Sequence, residues 1–179
     1  MNKLLLSTAL VASVAAAALA PRTASAVDGT INITGTINTS TCQINGANSP
    51  ATIAVALPTV STTSLNAANA VAGRTPFTLA LSGCGALTKA TTFFEPGPTV
   101  MADGNLKNNT GTATNVEVQL LNSNFSTIAL NAASGSQNVT QATLASGAGN
   151  ITYYAQYFAT AAAGAGTVNT SVQFTMLYQ

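Results

Sequence analysis

The last nine residues constrain the fold more than any other stretch: Val172, Phe174, Met176 and Tyr178 alternate with Ser171, Thr175 and Gln179 up to the carboxyl terminus. Period-two alternation is the pattern of a β-strand with one apolar face. A strand with no following segment to pair with either lies between two strands already made or presents an unpaired edge. In the second case, association with another strand would be the function itself.

The same alternation recurs along the chain. Ile31, Ile33, Gly35 and Ile37 share one parity, against Asn32, Thr34, Thr36 and Asn38. The apolar phase then changes to Cys42 and Ile44, which predicts a bulge, a break or a change of partner near Thr39 to Thr41 and marks the first run as separable. Further strands are expected at Ile53–Leu57 before Pro58, at Phe77–Leu81, at Thr91–Glu95 before Pro96-Gly97-Pro98, and at Val116–Leu120. Weaker ones are expected near Phe125–Leu130 and Gln137–Val139, and Thr59–Gly73 reads as loop or helical turn. Ile151–Phe158 and Val168–Tyr178, linked by Ala161–Gly166, read as a long closing hairpin. Such spacing predicts an all-β chain, either a sandwich or a barrel.

The first residues have a different pattern: Asn2-Lys3, the apolar run Leu4–Ala20, Pro21-Arg22-Thr23, then Ala24-Ser25-Ala26. This is a secretory signal peptide over residues 1–26, with Val27 as the mature start; the run is too short for a retained anchor. Removing 26 of the 179 residues leaves 153, the size of one domain. The mature part keeps Arg74, Lys89 and Lys107 against Asp28, Glu95, Asp103 and Glu117, a net charge of −1. That balance gives no footprint for nucleic acid or anionic lipid. Charged residues make up 5% of the chain, so Thr, Ser, Asn, Gln, Gly and Ala must form the surface, which repels neighbours weakly. Cys42 and Cys84 form an even pair in an exported chain and are expected to be disulfide-bonded.

The inventory is poor in chemistry. With no histidine in the chain, nothing near-neutral is available to shuttle a proton, and no catalytic residue is assigned. Glu95 precedes a Pro-Gly-Pro turn and Glu117 occupies an outward strand position, which does not suit a paired-carboxylate site. Two cysteines cannot complete a metal site, and Gly164-Ala165-Gly166 lacks the setting of a phosphate loop, so neither metal nor cofactor is expected. Tyr153, Tyr154 and Tyr157 read as core on one face and cross-strand packing on the other.

Several segments together resemble a type 1 fimbrial major subunit, a pilin of the chaperone–usher route. They are Gly29-Thr30-Ile31-Asn32-Ile33-Thr34-Gly35 ahead of Cys42, Gly83-Cys84, Ala113 to Leu120, Tyr157-Phe158-Ala159-Thr160, and Phe174 to Gln179 with its penultimate Tyr178. The resemblance implies an incomplete immunoglobulin-like sandwich lacking its final strand, residues 37–179, completed by donor-strand exchange. A periplasmic chaperone fills the groove first, and an outer-membrane usher hands the subunit on. The N-terminal extension of the next copy, residues 27–36, then replaces the chaperone strand, with Val27, Gly29, Ile31, Ile33 and Gly35 as donor positions. Gly29 would match the donor glycine, and Ile33 stands where an aromatic is common. Val172, Phe174, Met176, Tyr178 and Gln179 would form the groove edge that the chaperone grips. The expected product is an extracellular, cell-surface fimbria of repeating subunits used in cell adhesion. Two other readings compete: a minor, adaptor or tip adhesin pilin, and a small outer-membrane barrel, for which 6% aromatic residues are too few to make two girdles.

Overall fold

The computed structural model describes residues 31, 32, 34 and 42–179. The signal segment, the phase change at Thr39 to Thr41, and Val27, Gly29, Ile33 and Gly35 lie outside the described residues. Among the described residues eight strands follow one another: β1 Gln43–Ile44, β2 Val71–Ser82, β3 Lys89–Phe94, β4 Leu106–Lys107, β5 Val116–Asn122, β6 Ala142–Thr143, β7 Gly149–Ala159 and β8 Phe174–Tyr178. All pairings are antiparallel, in a five-stranded sheet of order β1-β2-β7-β5-β4 and a three-stranded sheet of order β6-β3-β8.

Alternation explains which side chains meet between the sheets. Leu79 and Leu81 of β2, Val118 and Leu120 of β5, and Ile151, Tyr153 and Ala155 of β7 turn inward and are buried. Ala90, Thr92 and Phe94 do the same from β3. Tyr153 is the bolt between the layers: its ring meets Phe94 edge-on at 5.5 Å, and its hydroxyl donates to Thr92 Oγ1 at 2.9 Å. Burial pushes this phenol up to about 12, the Thr92 bond opposing the rise. Tyr154, of opposite parity, stacks on Phe125 at 4.9 Å on the other face of the sheet.

The structure corrects four expectations. Ile151–Phe158 and Val168–Tyr178 form no hairpin, because β7 pairs with β2 and β5 while β8 crosses to the other sheet and pairs with β3. Val71 already opens β2 inside the stretch read as loop, which keeps only a 3₁₀ turn at Thr62–Leu65 capped by Ser61. A bulge hides the early start. Gly73 and Arg74 together oppose Gln156, with Gly73 at φ +68°, and a β-carbon there would press on Tyr157 and Val60.

The expected strands near Phe125–Leu130 and Gln137–Val139 are absent, and the short β6 stands in their place. Side-chain amides hold this region instead. Gln137 accepts from Phe94 N (3.0 Å) and donates to Phe94 O (2.6 Å), Leu130 O and Ala132 O, so its amide replaces a strand neighbour of β3. Fourth, Glu117 does point out of the sheet but is 8% exposed, because the loop carrying Asp103 and Asn105 folds over it.

Candidate functional site

β8 is an edge strand. One side pairs with β3 from Ala90↔Tyr178 to Phe94↔Phe174 and is extended by Glu95 N to Gln173 O at 2.8 Å. The last residue is pinned as well: Gln179 O accepts from Thr88 N and Lys89 N at 2.8 and 2.9 Å. The other side of β8 has no strand partner among the described residues. Val172, Phe174, Met176 and Tyr178 all face the core from this edge, yet each stays half-buried where β7 buries Ile151, Tyr153 and Ala155.

A second row matches it. Ala51, Ile53, Val55 and Leu57 are half-buried against the same core, alternating with exposed Thr52, Ala54, Ala56 and Pro58. This segment was expected to be a strand. It has the side-chain alternation of one, but its backbone makes no hydrogen bond with any described residue. An extended segment with a core-facing apolar row and unpaired N–H and C=O groups is a strand that lacks its neighbour. Two residues beyond Leu57 and three before Val172, the chain lines a cavity of about 460 Å³, whose walls include Thr59, Val60 and Leu65 together with Tyr157, Val168 and Asn169. The hydroxyl of Thr170, next in sequence to the cavity-lining Asn169, is buried with no partner among the described residues.

The β8 row is legible as a groove edge from the sequence, whereas the role of the Ile53 row is not. Its alternation was visible, but nothing in the pattern distinguishes a strand with one neighbour from a strand with none. Ile31, the described member of the expected donor set, is 89% exposed. Cys42 and Cys84 form the disulfide and are fully buried. Tyr178 reaches the Cys42 end of this bridge. Burial raises its phenol, and the Cys42 backbone opposes the rise.

Away from this edge, a directional chain of hydrogen bonds crosses the outer face of the five-stranded sheet. Arg74 donates to Gln156, Gln156 to Gln119, Gln119 to Asn105, and Asn105 Nδ2 to both Asp103 Oδ2 (2.8 Å) and Glu117 Oε2 (3.1 Å). Arg74 also lies 4.4 Å over the Phe125 ring. Glu117 is pushed above the usual carboxylate range, first by burial and then by Asp103, with Asn105 opposing.

Between the usual carboxylate range and the raised value of Glu117 the folded chain holds a proton that the unfolded chain has lost, so stability falls as pH rises through that interval and is regained on acidification. Glu117→Gln is expected to raise the urea midpoint at pH 7 and to flatten its pH dependence. An unchanged slope would assign the pH dependence to other groups.

Fold and edge together define a β-sandwich in which one strand position is unfilled among the described residues. The sequence model of the type-1 fimbrial protein A (FimA) family matches residues 57–179. The chain is 45% identical over 170 residues to the major fimbrial subunit SMF-1 of Stenotrophomonas maltophilia, covering 90% of this chain and 98% of that one. It is 40% identical over 164 residues to the F17 fimbrial protein of Escherichia coli, covering 86% and 89%. In fold it resembles the P pilus rod subunit PapA (TM-score 0.59, 18% identity, 77% of this chain and 99% of that one). A chain from a chaperone–usher pilus structure is equally alike (TM-score 0.60, 19% identity, 89% and 100%). The chain belongs to the type-1 fimbrial protein family and is a structural fimbrial subunit with the incomplete immunoglobulin-like pilin fold.

Proposed function

We propose that this chain is the repeating subunit of an adhesive surface fimbria, polymerised by strand donation from one copy into the open edge of the next. The observation that carries this reading is the pair of half-buried rows, Ala51–Leu57 and Val172–Tyr178, each with a backbone edge that has no partner among the described residues. A donated strand would supply main-chain hydrogen bonds to both edges and apolar side chains to the space between them.

Residues 27–36 have the required alternation, with Val27, Gly29, Ile31, Ile33 and Gly35 as the inserted set after removal of the signal peptide 1–26. A head-to-tail contact of this kind does not close on itself, so it propagates as a fibre. Before assembly the same edge would be covered by a strand of a periplasmic chaperone gripping Tyr178 and Gln179, with delivery to an outer-membrane usher. Export through the periplasm then places the subunit in a cell-surface fimbria. Among the described residues no helix is long and apolar enough to cross a membrane, and no group of metal-ligating side chains occurs.

Shearing fimbriae from cells and quantifying the subunits tests the repeating role. This chain is expected to dominate a fraction that sediments without detergent. A trace amount would assign it to an adaptor or minor position.

A further inference from the structure

We propose that Asn108 is a positioning residue of the groove, whose side chain holds the 163–169 wall so that the terminal cavity stays open to an inserted strand. The inference rests on the groove reading above and adds to it a residue that touches neither row.

The 163–169 segment lines the cavity but belongs to no strand, so something other than sheet pairing must fix it. Asn108 supplies that fixation with its full hydrogen-bonding capacity. Its Nδ2 donates to Ala113 O and Thr167 O, both at 3.0 Å. Its Oδ1 accepts from Gly111 N at 3.0 Å and Asn169 N at 2.9 Å. Two donors and two acceptor sites are what an asparagine amide possesses. One side chain thus ties the loop after β4 to the wall at both Thr167 and Asn169, immediately flanking the cavity-lining Val168.

A second layer of bonds depends on the same approach. Thr112 N donates to Thr167 Oγ1 at 3.1 Å, Thr167 N to Thr112 Oγ1 at 3.0 Å, and Asn109 N to Asn169 O at 2.8 Å. The two backbones come so close that a β-carbon on Gly111 would collide with Thr167 O. Without Asn108 the carbonyls of Ala113 and Thr167 lose two donors, and Val168 loses the fixed flanks that set its distance from Val60 across the cavity.

A strand lying in the groove reaches this cavity with only one of its ends. A defect confined to the cavity must therefore weaken that end and leave the rest alone. The test uses the full chain and labelled peptides copying residues 27–36, one complete, one lacking the first two residues and one lacking the last two, with uptake followed by fluorescence anisotropy. Asn108→Ala is expected to slow uptake of the complete peptide about tenfold, roughly the worth of one net hydrogen bond. It is also expected to abolish the difference between that peptide and the one trimmed at the cavity end, the non-additivity of a double-mutant cycle.

Thr167→Val, which removes the hydroxyl that accepts from Thr112 N and pairs with Thr112 Oγ1, should show the same pattern more weakly and serves if Asn108→Ala does not fold. Equal slowing of all three peptides would make Asn108 merely structural and overturn the inference while leaving the groove standing. No uptake of any peptide by the unmodified chain would overturn the groove itself, and this inference with it.

Discussion

Replacing Ile31 and Ile33 together by aspartate is expected to abolish fibre formation while leaving the groove able to accept a strand. Each isoleucine, on moving from water into the groove, contributes about 2 to 3 kcal/mol of transfer free energy. An unpaired carboxylate in the same place adds a desolvation penalty of several kcal/mol per ion. Losing two contacts and gaining two penalties exceeds roughly 8 kcal/mol, far more than the 1.4 kcal/mol that corresponds to a factor of ten in equilibrium. Heat-sensitive, SDS-resistant ladders should vanish, and ladders that persist unchanged would remove these residues from the donor role.

A partner variant separates donor from acceptor. Met176→Asp places the same charge on the groove row of β8, where Met176 is half-buried and takes a 3.6 Å hydrogen bond from Thr92 through its sulfur. Mixing the two variants should give dimers and nothing longer. The first retains a working groove, the second a working donor, and each product ends at both its broken sites.

Why one row of the groove, Val172–Tyr178, could be named from sequence and the other, Ala51–Leu57, could not is a matter of what alternation encodes. The pattern in Val116–Leu120 and Ile151–Phe158 locates real strands, because inward residues such as Val118 and Tyr153 must be apolar in either sheet. It carries no information about which strand lies beside which. Hence Val168–Tyr178 reads as the return arm of a hairpin with β7, although β8 pairs with β3, about 80 residues away in sequence. Ile53–Leu57 shows the limit from the other side, since its side chains obey strand parity while its backbone has no described partner.

The polar devices were less legible still. Gln137 standing in for a strand beside Phe94, and Asn108 clamping two loops, each rest on a single amide in a chain full of Asn and Gln. Nothing in their sequence neighbourhood distinguishes them. The proposed donor positions, by contrast, are legible from family resemblance joined to the alternation of residues 27–36.

Removing the disulfide, by Cys42→Ala with Cys84→Ala, is expected to cost the isolated subunit about 4 kcal/mol of stability, the chain-entropy value for its loop. The bridge spans 42 residues and joins the residue before β1 to the turn after β2, both sulfurs being fully buried. Alanine is the useful replacement, because two serines would add buried hydroxyls and confuse the reading by about 1 to 3 kcal/mol each.

A loss of that size is a large part of the 5–15 kcal/mol typical of a domain, and a sandwich short of one strand begins nearer the lower end. Strand binding opposes the loss by mass action, since a ligand at about 100 times its dissociation constant adds about 2.7 kcal/mol and at 1,000 times about 4.1. The double variant should therefore unfold at a clearly lower urea concentration alone. Excess donor peptide should return it to the midpoint of the peptide-free parent only in the thousandfold range. Restoration at a few-fold excess would mean that the bridge contributes much less than its loop length implies. No restoration at any excess would mean that it shapes the groove itself, through the contact between the Cys42 end and Tyr178, and does not merely restrict the unfolded chain.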